Sequence, residues 1–267
     1  MRLVYLGTPA IAVPPLEALV AAGHDVALVV TGADKRRGRG NDTSASPVKE
    51  AATRLGIPVS HVVDDVLTVG AELGVVVAFG KLIKPHVLAQ LSMVNLHFSL
   101  LPRWRGAAPV ERALLAGDTV TGVCVMAVEE GLDTGGVYAK VEVPIGSTTT
   151  LDQLRDELVG VGTRLLIDTL GAGLGAPEPQ HGEPTYAAKI DPAELRIDWA
   201  RPATEIDRLV RLGGAWTTFR GSRIKMNEAE LVDGELVPVL VQPEGKRPMS
   251  FDAWRNGARP AAGEWFE

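Results

Sequence analysis

Two polar side chains, Asn95 and His97, lie two residues apart within the apolar run at 93–98. Because side chains alternate across a strand, both leave the same face and can converge on one atom. Asp133 follows the next apolar run, in the turn 131–135, where a carboxylate could hold the imidazole and raise its pKa. An amide donor and an imidazolium can stabilise an oxyanion while a carboxylate orients the base. These residue types therefore suit acyl or formyl transfer.

Each of these residues also has a structural interpretation. A single histidine at a strand end more often makes a structural hydrogen bond than it catalyses a reaction. Asp133 stands near Gly135, and both residue types are common in turns for conformational reasons. Residues 99–102 could simply be the loop that ends a strand. The spacing alone leaves both interpretations open.

The first two thirds of the sequence alternate between apolar runs typical of buried strands and patterns typical of helices. Strands are predicted at 2–6, 26–30, 57–62, 75–79, 93–98 and 121–128, and helices at 15–23, 46–55, 84–91 and 108–117. This alternation predicts an α/β domain with a doubly wound, Rossmann-like parallel sheet. Ligands of such sheets bind at the carboxyl ends of the strands, where Asn95 and His97 are expected.

The last third of the sequence changes character. Residues 171–184 are rich in glycine and proline and predict a connecting segment. One amphipathic helix and several short strand-like runs follow, including a final one at 248–254, and they predict a small β-rich domain. We divide the chain into a catalytic domain (1–184), a linker (185–200) and a C-terminal domain (201–267).

Composition excludes several classes of protein. The chain of 267 residues is 46% hydrophobic and 22% charged, as expected for a folded protein rather than a disordered or collagenous one. Cys124 is the single cysteine, which excludes an intrachain disulfide and a thiolate zinc cage and makes the cytoplasm the expected compartment. No apolar run approaches the roughly 20 residues of a membrane helix, so no membrane association is expected.

The first strand–helix turn, GTPAIAVPP, argues against a nucleotide cofactor. Its three prolines remove amide donors, and it lacks the glycines that let a backbone cradle pyrophosphate. We therefore expect no nucleotide cofactor at this turn. The sequence leaves the oligomeric state open, and a monomer is expected.

Two cationic clusters stand out in a chain whose net charge is −6. The first cluster lies in the long polar loop 34–46 and the helix after it, and it predicts a phosphate-binding surface, with a solvated loop as the alternative. Its cations are Lys35, Arg36, Arg37, Arg39 and Lys49. The second cluster contains no acidic residue between 208 and 225 and has Trp216 and Phe219 interleaved, a pattern compatible with nucleic-acid contacts; its cations are Arg208, Arg211, Arg220, Arg223 and Lys225.

The stretch NLHFSLLPRWRGAAPVERALLAGDTVTGVCVMAVEEGLDTG, at 95–135, closely resembles the core of methionyl-tRNA formyltransferases. Further motifs resemble the same family in the same order. They are GTP at 7–9, DKRRGRG with SPVK at 34–49, TYAAKI with IDW at 185–199, and QPEGKRPMS at 242–250. The resemblance therefore covers almost the whole chain.

The resemblance implies transfer of a formyl group from 10-formyltetrahydrofolate to the α-amine of methionyl initiator tRNA, without metal or nucleotide. Asn95, His97 and Asp133 match the family's catalytic residues. The folate-binding turn matches Ser99, Leu100, Leu101 and Pro102, and Arg39 aligns with a tRNA contact. By the same resemblance the loop cluster containing Lys35, Arg36, Arg37 and Lys49 is expected to contact tRNA. The pattern of the second cluster makes Arg220, Arg223 and Lys225 further candidates for tRNA contacts.

Two departures from the family pattern keep other functions open. Asn41 and Asp42 stand where the family carries further lysines, and the OB-like C-terminal barrel is abbreviated between RIKMNEAELVDG and ELVPVLVQPEG. One alternative is an N-formyltransferase acting on an amino-sugar nucleotide or another small amine. The other is a catalytically inert tRNA-binding module.

Overall fold

The computed structural model describes residues 1–36 and 43–267. They form two compact units, each drawn from separate parts of the chain. Unit 1 consists of Met1–Pro109, Val120–Pro144 and Arg155–Ala187. Unit 2 consists of Val110–Thr119, Ile145–Leu154 and Ala188–Glu267. This division differs from the expected one, because residues 188–200 pack within unit 2 instead of linking two domains: Ile197 is buried in its core and Trp199 stacks on Phe266.

Unit 1 contains most of the strands. They are β1 (Arg2–Gly7), β2 (Asp25–Val30), β3 (Lys35–Arg36), β4 (Thr43–Ser44), β5 (Val59–Ser60), β6 (Leu73–Val77), β7 (Met93–His97), β8 (Arg105–Gly106), β9 (Val120–Ala127), β10 (Val137–Pro144) and β11 (Tyr186–Ala187). Its helices are α1 (Val13–Ala21), α2 (Pro47–Arg54) and α3 (Pro85–Leu88), with 3-10 turns at Ala10–Ala12 and Val63–Leu67. Helix α4 (Pro109–Ala116) lies mostly in unit 2, and α5 (Leu151–Ala172) begins there and continues in unit 1.

The main sheet has seven strands in the order β10-β9-β7-β6-β1-β2-β5. The five strands from β7 to β5 are parallel, which confirms the Rossmann-like prediction, and β1 and β6 are almost entirely buried. The expectation of a wholly parallel sheet is wrong at one edge, because β9 runs antiparallel to both β7 and β10. An antiparallel pair needs only a turn between its strands, and residues 128–136 form that turn and carry Asp133.

Unit 2 is built around a four-stranded antiparallel sheet with the order β12-β13-β14-β15. Its elements are α6 (Ala203–Leu212), β12 (Trp216–Phe219), β13 (Ser222–Val232), β14 (Glu235–Pro243), β15 (Met249–Ser250) and α7 (Phe251–Ala258), with a 3-10 turn at Pro192–Leu195. The β-rich prediction is confirmed. The run at 248–254 is mostly helical, however, because Ser250 Oγ caps the first turn by accepting from Ala253 N (3.2 Å). Phe251 and Trp254 then lie on the same, buried helix face.

None of the helices in the described part of the chain combines the length and apolar character that crossing a membrane requires.

Candidate active site

Strand β7 places Asn95 and His97 at its carboxyl end, on the same face of the sheet. Asn95 pairs in register with Val76 of β6 and Met126 of β9, and His97 pairs with Cys124 of β9. His97 is 5% exposed and Asn95 is half-buried. Because His97 is buried and its backbone is paired with β9, its environment decides its chemistry.

The two ring nitrogens of His97 have different partners. Nε2 lies 3.0 Å from the carbonyl oxygen of Trp104, and because a carbonyl only accepts, Nε2 carries the hydrogen. Nδ1 lies 3.7 Å from Oδ2 of Asp133, too far for a hydrogen bond but close enough for strong attraction when the ring is charged. Nδ1 is therefore the nitrogen that titrates, and it faces the carboxylate.

Burial sets the charge of His97. It lowers the pKa of His97, and the attraction of Asp133 and the hydrogen bond to Trp104 oppose this effect without cancelling it. The sequence predicted that Asp133 raises the pKa of His97. The attraction of Asp133 does act in that direction, but burial outweighs it, so the prediction of a raised pKa is wrong. The imidazole is consequently neutral near pH 7.

Asp133 occupies a tight loop between β9 and β10. Its φ of 51° is in the left-handed region, and its Oδ2 accepts a hydrogen bond from Gly106 N (2.7 Å). Two residues later, a Cβ on Gly135 would lie 2.0 Å from the carbonyl oxygen of Ala127. The loop is thus pressed against the end of β9, with its carboxylate directed at His97.

The structure also brings in residues that sequence reasoning missed. Gln180 donates from Nε2 to the carbonyl oxygens of Asp133 and Gly135, both at 2.8 Å. Thr185 accepts from Trp104 N through Oγ1 (2.9 Å), next to the parallel pairing of β8 with β11. The glycine- and proline-rich composition hid Gln180, whereas the TYAAKI motif that begins with Thr185 was a signal that this segment matters.

The turn at 99–102 connects His97 to Trp104. Ser99 is buried and donates from Oγ to the carbonyl oxygen of Arg103 (2.6 Å). Leu100 packs against Gly122, where a Cβ would lie 2.6 Å from Leu100 Cδ2. Leu101 and Pro102 are joined by a cis peptide bond and are partly exposed. The hydroxyl of Ser99 is therefore used inside the turn, and the exposed surface of the turn is apolar.

A cavity of about 480 Å³ lies between α3 and the start of the Asp133 loop. Its lining consists of Pro85, Leu88, Ala89, Val128, Glu129, Glu130 and Gly131. The volume is in the range of small-molecule sites, although this cavity is wide open to solvent, and its lining combines apolar side chains, backbone and the carboxylates of Glu129 and Glu130. Within residues 1–36 and 43–267, no group of three or more His, Cys, Asp or Glu side chains could hold a metal ion.

The expected cations of the first cluster are only partly described. Arg37 and Arg39 lie outside the described residues, and Lys35 and Arg36 form β3, which pairs with β4. Lys49 lies in α2, and its Nζ forms an ion pair with Asp34 at 2.7 Å. Part of the charge of Lys49 is therefore neutralised locally.

In unit 2 the expected cations have different surroundings. Arg220 forms two hydrogen bonds of 2.6 Å to Glu264, which lowers the pKa of Glu264 to about 2. Arg223 lies 4.2 Å from the ring centre of Trp216, and Lys225 is exposed directly opposite Trp216 in the strand register. Arg220 is thus engaged within the unit, whereas Arg223 and Lys225 share a face of the sheet with an aromatic ring.

Comparisons with known proteins agree with this fold. A family model described as formyl transferase matches residues 1–170, and one described as formyl transferase, C-terminal domain, matches residues 189–236. The methionyl-tRNA formyltransferase of Dinoroseobacter shibae is 47% identical over 88% of this chain and 84% of its own length. That of Acidothermus cellulolyticus is 40% identical, with both chains fully covered.

Two solved structures show the same fold at low identity. The methionyl-tRNA formyltransferase from Clostridium thermocellum has a TM-score of 0.66 at 16% identity, covering 91% of this chain and 98% of that one. The N-formyltransferase from Helicobacter canadensis, solved with folinic acid and dTDP-3-aminofucose, has a TM-score of 0.65 at 17% identity, covering 94% and 98%. The matches to both family models and to the relatives at 40–47% identity show that this chain belongs to the formyl transferase family.

Proposed function

We propose that this protein transfers the formyl group of 10-formyltetrahydrofolate to the α-amine of methionyl initiator tRNA. The observation that carries the proposal is the pairing of His97 Nδ1 with Asp133 Oδ2 at 3.7 Å, on the strand face that also bears Asn95. Relatives at 40–47% identity that bear the name methionyl-tRNA formyltransferase support the choice of amine.

The three residues have complementary roles in this reaction. The folate donor supplies the formyl carbon. Asn95 donates a hydrogen bond to the oxygen that becomes negative as the amine attacks, and such a donor is commonly worth about 3 kcal/mol. His97, neutral in the resting protein, accepts at Nδ1 the proton that the amine loses and returns it to the leaving nitrogen. Asp133 stabilises the imidazolium between these two transfers.

The donor needs a site next to these groups. We place its flat ring in the cavity lined by Pro85, Leu88 and residues 128–131, which leads directly into the Asp133 loop. We assign contacts with the rest of the donor to the turn at 99–102, whose partly exposed side chains are apolar. Glu129 and Glu130 can accept hydrogen bonds from ring amino groups.

The tRNA requires cations outside the reaction centre. We assign phosphate contacts to the segment with Lys35, Arg36, Arg37, Arg39 and Lys49. In unit 2 we assign them to Arg223 and Lys225, which flank Trp216. Arg220 contributes less, because Glu264 already neutralises its charge.

The test is formylation by the purified protein with 10-formyltetrahydrofolate as donor. Methionyl initiator tRNA is compared with methionyl elongator tRNA and with amino-sugar nucleotides. Initiator-selective turnover is expected. The shortened, four-stranded sheet of unit 2 favours formylation of an amino sugar as the second candidate function. Turnover with amino sugars alone would support the assigned catalytic residues and overturn methionyl tRNA as the proposed amine. No turnover with any amine would overturn both.

A further inference from the structure

Gln180 connects the two stretches of backbone that fix His97 and Asp133. We propose that Gln180 is a positioning residue of the formyl-transfer site, holding the Asp133 loop so that its carboxylate faces His97. This inference rests on the proposed function for its catalytic consequence. All the contacts that support it join residues of unit 1.

The side-chain amide of Gln180 uses its full hydrogen-bonding capacity. Nε2 donates to the carbonyl oxygens of Asp133 and Gly135, and Oε1 accepts from Nε (3.1 Å) and Nη2 (2.7 Å) of Arg105. A primary amide offers two donors and one oxygen with two lone pairs, so four such bonds saturate it. No other side chain type of this length could form the same set, because the acceptors on one side and the donors on the other require an amide.

These hydrogen bonds hold the part of the loop whose backbone conformation is least favourable. Asp133 has a φ of 51°, a conformation that non-glycine residues rarely adopt. Gln180 binds the carbonyl oxygen of Asp133 itself and that of Gly135, on either side of Thr134. The amide therefore fixes the direction of the peptide units that determine where the Asp133 carboxylate points.

The other end of Gln180 reaches the strand opposite the loop. Arg105, its partner, precedes Gly106, which donates to Asp133 Oδ2, and follows Trp104, whose carbonyl accepts from His97 Nε2. Gln180 thus bridges the 104–106 stretch, which supplies the backbone contacts of the His97 and Asp133 side chains, and the 133–135 loop, which carries Asp133.

The segment that carries Gln180 is itself fixed on both sides. Before it, Glu178 and Val137 exchange two backbone hydrogen bonds of 2.8 and 2.9 Å. After it, Thr185 accepts from the backbone nitrogens of Trp104 and Arg105, at 2.9 and 2.8 Å. A glutamine anchored in this way can transmit a fixed position to the loop, whereas one on a free connecting segment could not.

The test replaces Gln180 with methionine, which preserves length and removes all four hydrogen bonds. Two quantities are measured: kcat for formylation, and the titration of His97 followed by NMR in the absence of substrates. We expect kcat to fall about tenfold to a hundredfold with KM little changed, because displacing a catalytic group by about 1 Å has effects of this size. We expect the pKa of His97 to fall further, since the Asp133 carboxylate moves away from Nδ1.

The control is Gln153→Met at the exposed start of α5, where Oε1 accepts from Thr150; both quantities should stay at the wild-type values. Adding Gln180→Met to Asp133→Asn should cause little further loss, because both changes affect one interaction. If Gln180→Met does not fold, Gln180→Ala is measured in the same way.

The outcomes separate the two proposals. An unchanged His97 titration in the folded variant would overturn the positioning role, even if kcat fell. A shifted titration in a protein whose wild type formylates no amine would keep the positioning role and overturn the proposed function.

Discussion

Replacing Asp133 with asparagine removes the charge opposite His97 and leaves the local geometry almost unchanged. The amide oxygen of asparagine can still accept from Gly106 N, which Asp133 Oδ2 does at 2.7 Å. Asparagine also tolerates the left-handed φ of 51° better than most residues. The variant therefore isolates the electrostatic role of the carboxylate, whereas alanine would also strain the loop.

The size of the effect follows from the separation of 3.7 Å between Nδ1 and Oδ2. At an effective dielectric constant of about 20, two unit charges at this distance attract by about 4.5 kcal/mol. Relaxation of the site reduces this value, but the sign is fixed: without the carboxylate we expect the pKa of His97 to fall further. The loss of imidazolium stabilisation should lower kcat roughly 10²- to 10³-fold.

The assay combines an NMR titration of the histidines with steady-state formylation kinetics. The chain has five histidines, and the His97→Gln variant assigns the relevant resonance. Asp156→Asn, an exposed change in α5, serves as the charge-matched control and should change neither quantity. A His97 pKa that stays constant or rises in Asp133→Asn would refute the reasoning, as would a kcat above about a third of the wild-type value.

Three further changes test other parts of the structure. His97→Gln should remove a pH dependence of stability. Because burial lowers the pKa of His97 in the folded protein, the unfolded chain binds more protons below about pH 6.5, and the free energy of unfolding of the wild type falls there by up to about 1.4 kcal/mol per pH unit. Urea unfolding at pH 7.5 and 5.5 measures this loss in the wild type and its absence in the variant. Gly122→Ala places a Cβ 2.1 Å from the carbonyl oxygen of Val141 and should lower the free energy of unfolding by about 2 kcal/mol or more in the same assay. Lys225→Ala should weaken tRNA binding and reduce its salt dependence by about one ion, whereas Arg220→Ala should mainly lower thermal stability; anisotropy titrations with tRNA at several salt concentrations distinguish the two.

The sequence predicted what depends on local periodicity. Alternation within 93–98 placed Asn95 and His97 on one strand face, and the turn residues around Asp133 located the carboxylate after the following strand. Both features rest on rules that apply within a few residues. The amphipathic helix at Ala203–Leu212 was found for the same reason.

Features that depend on distant partners were not predicted. No element was assigned between 137 and 170, although β10 and most of α5 lie there. In α5, Gly160 and Gly162 interrupt a helical pattern, and Gly162 is needed because a Cβ there would lie 3.0 Å from Val123. The role of Gln180 depends on partners 45 to 75 residues away, and no pattern along the chain records such contacts. The net charge of His97 likewise depends on burial, which only the fold determines.

The interleaving of the two units constrains the order in which the chain can mature on the ribosome. Segments Val110–Thr119 and Ile145–Leu154 are synthesised well before Ala188–Glu267, although all three belong to unit 2. Their contacts cross this gap: Arg208 donates to the carbonyl oxygen of Leu115 at 3.3 Å, and Arg211 to that of Thr149 at 2.9 Å. Domains usually fold one after another from the N-terminus. Here the nascent polypeptide must carry both segments without their partners in Ala188–Glu267 until the residues after Ala187 emerge, so a ribosomal stall or a proteolytic cut at that point would leave unit 2 incomplete.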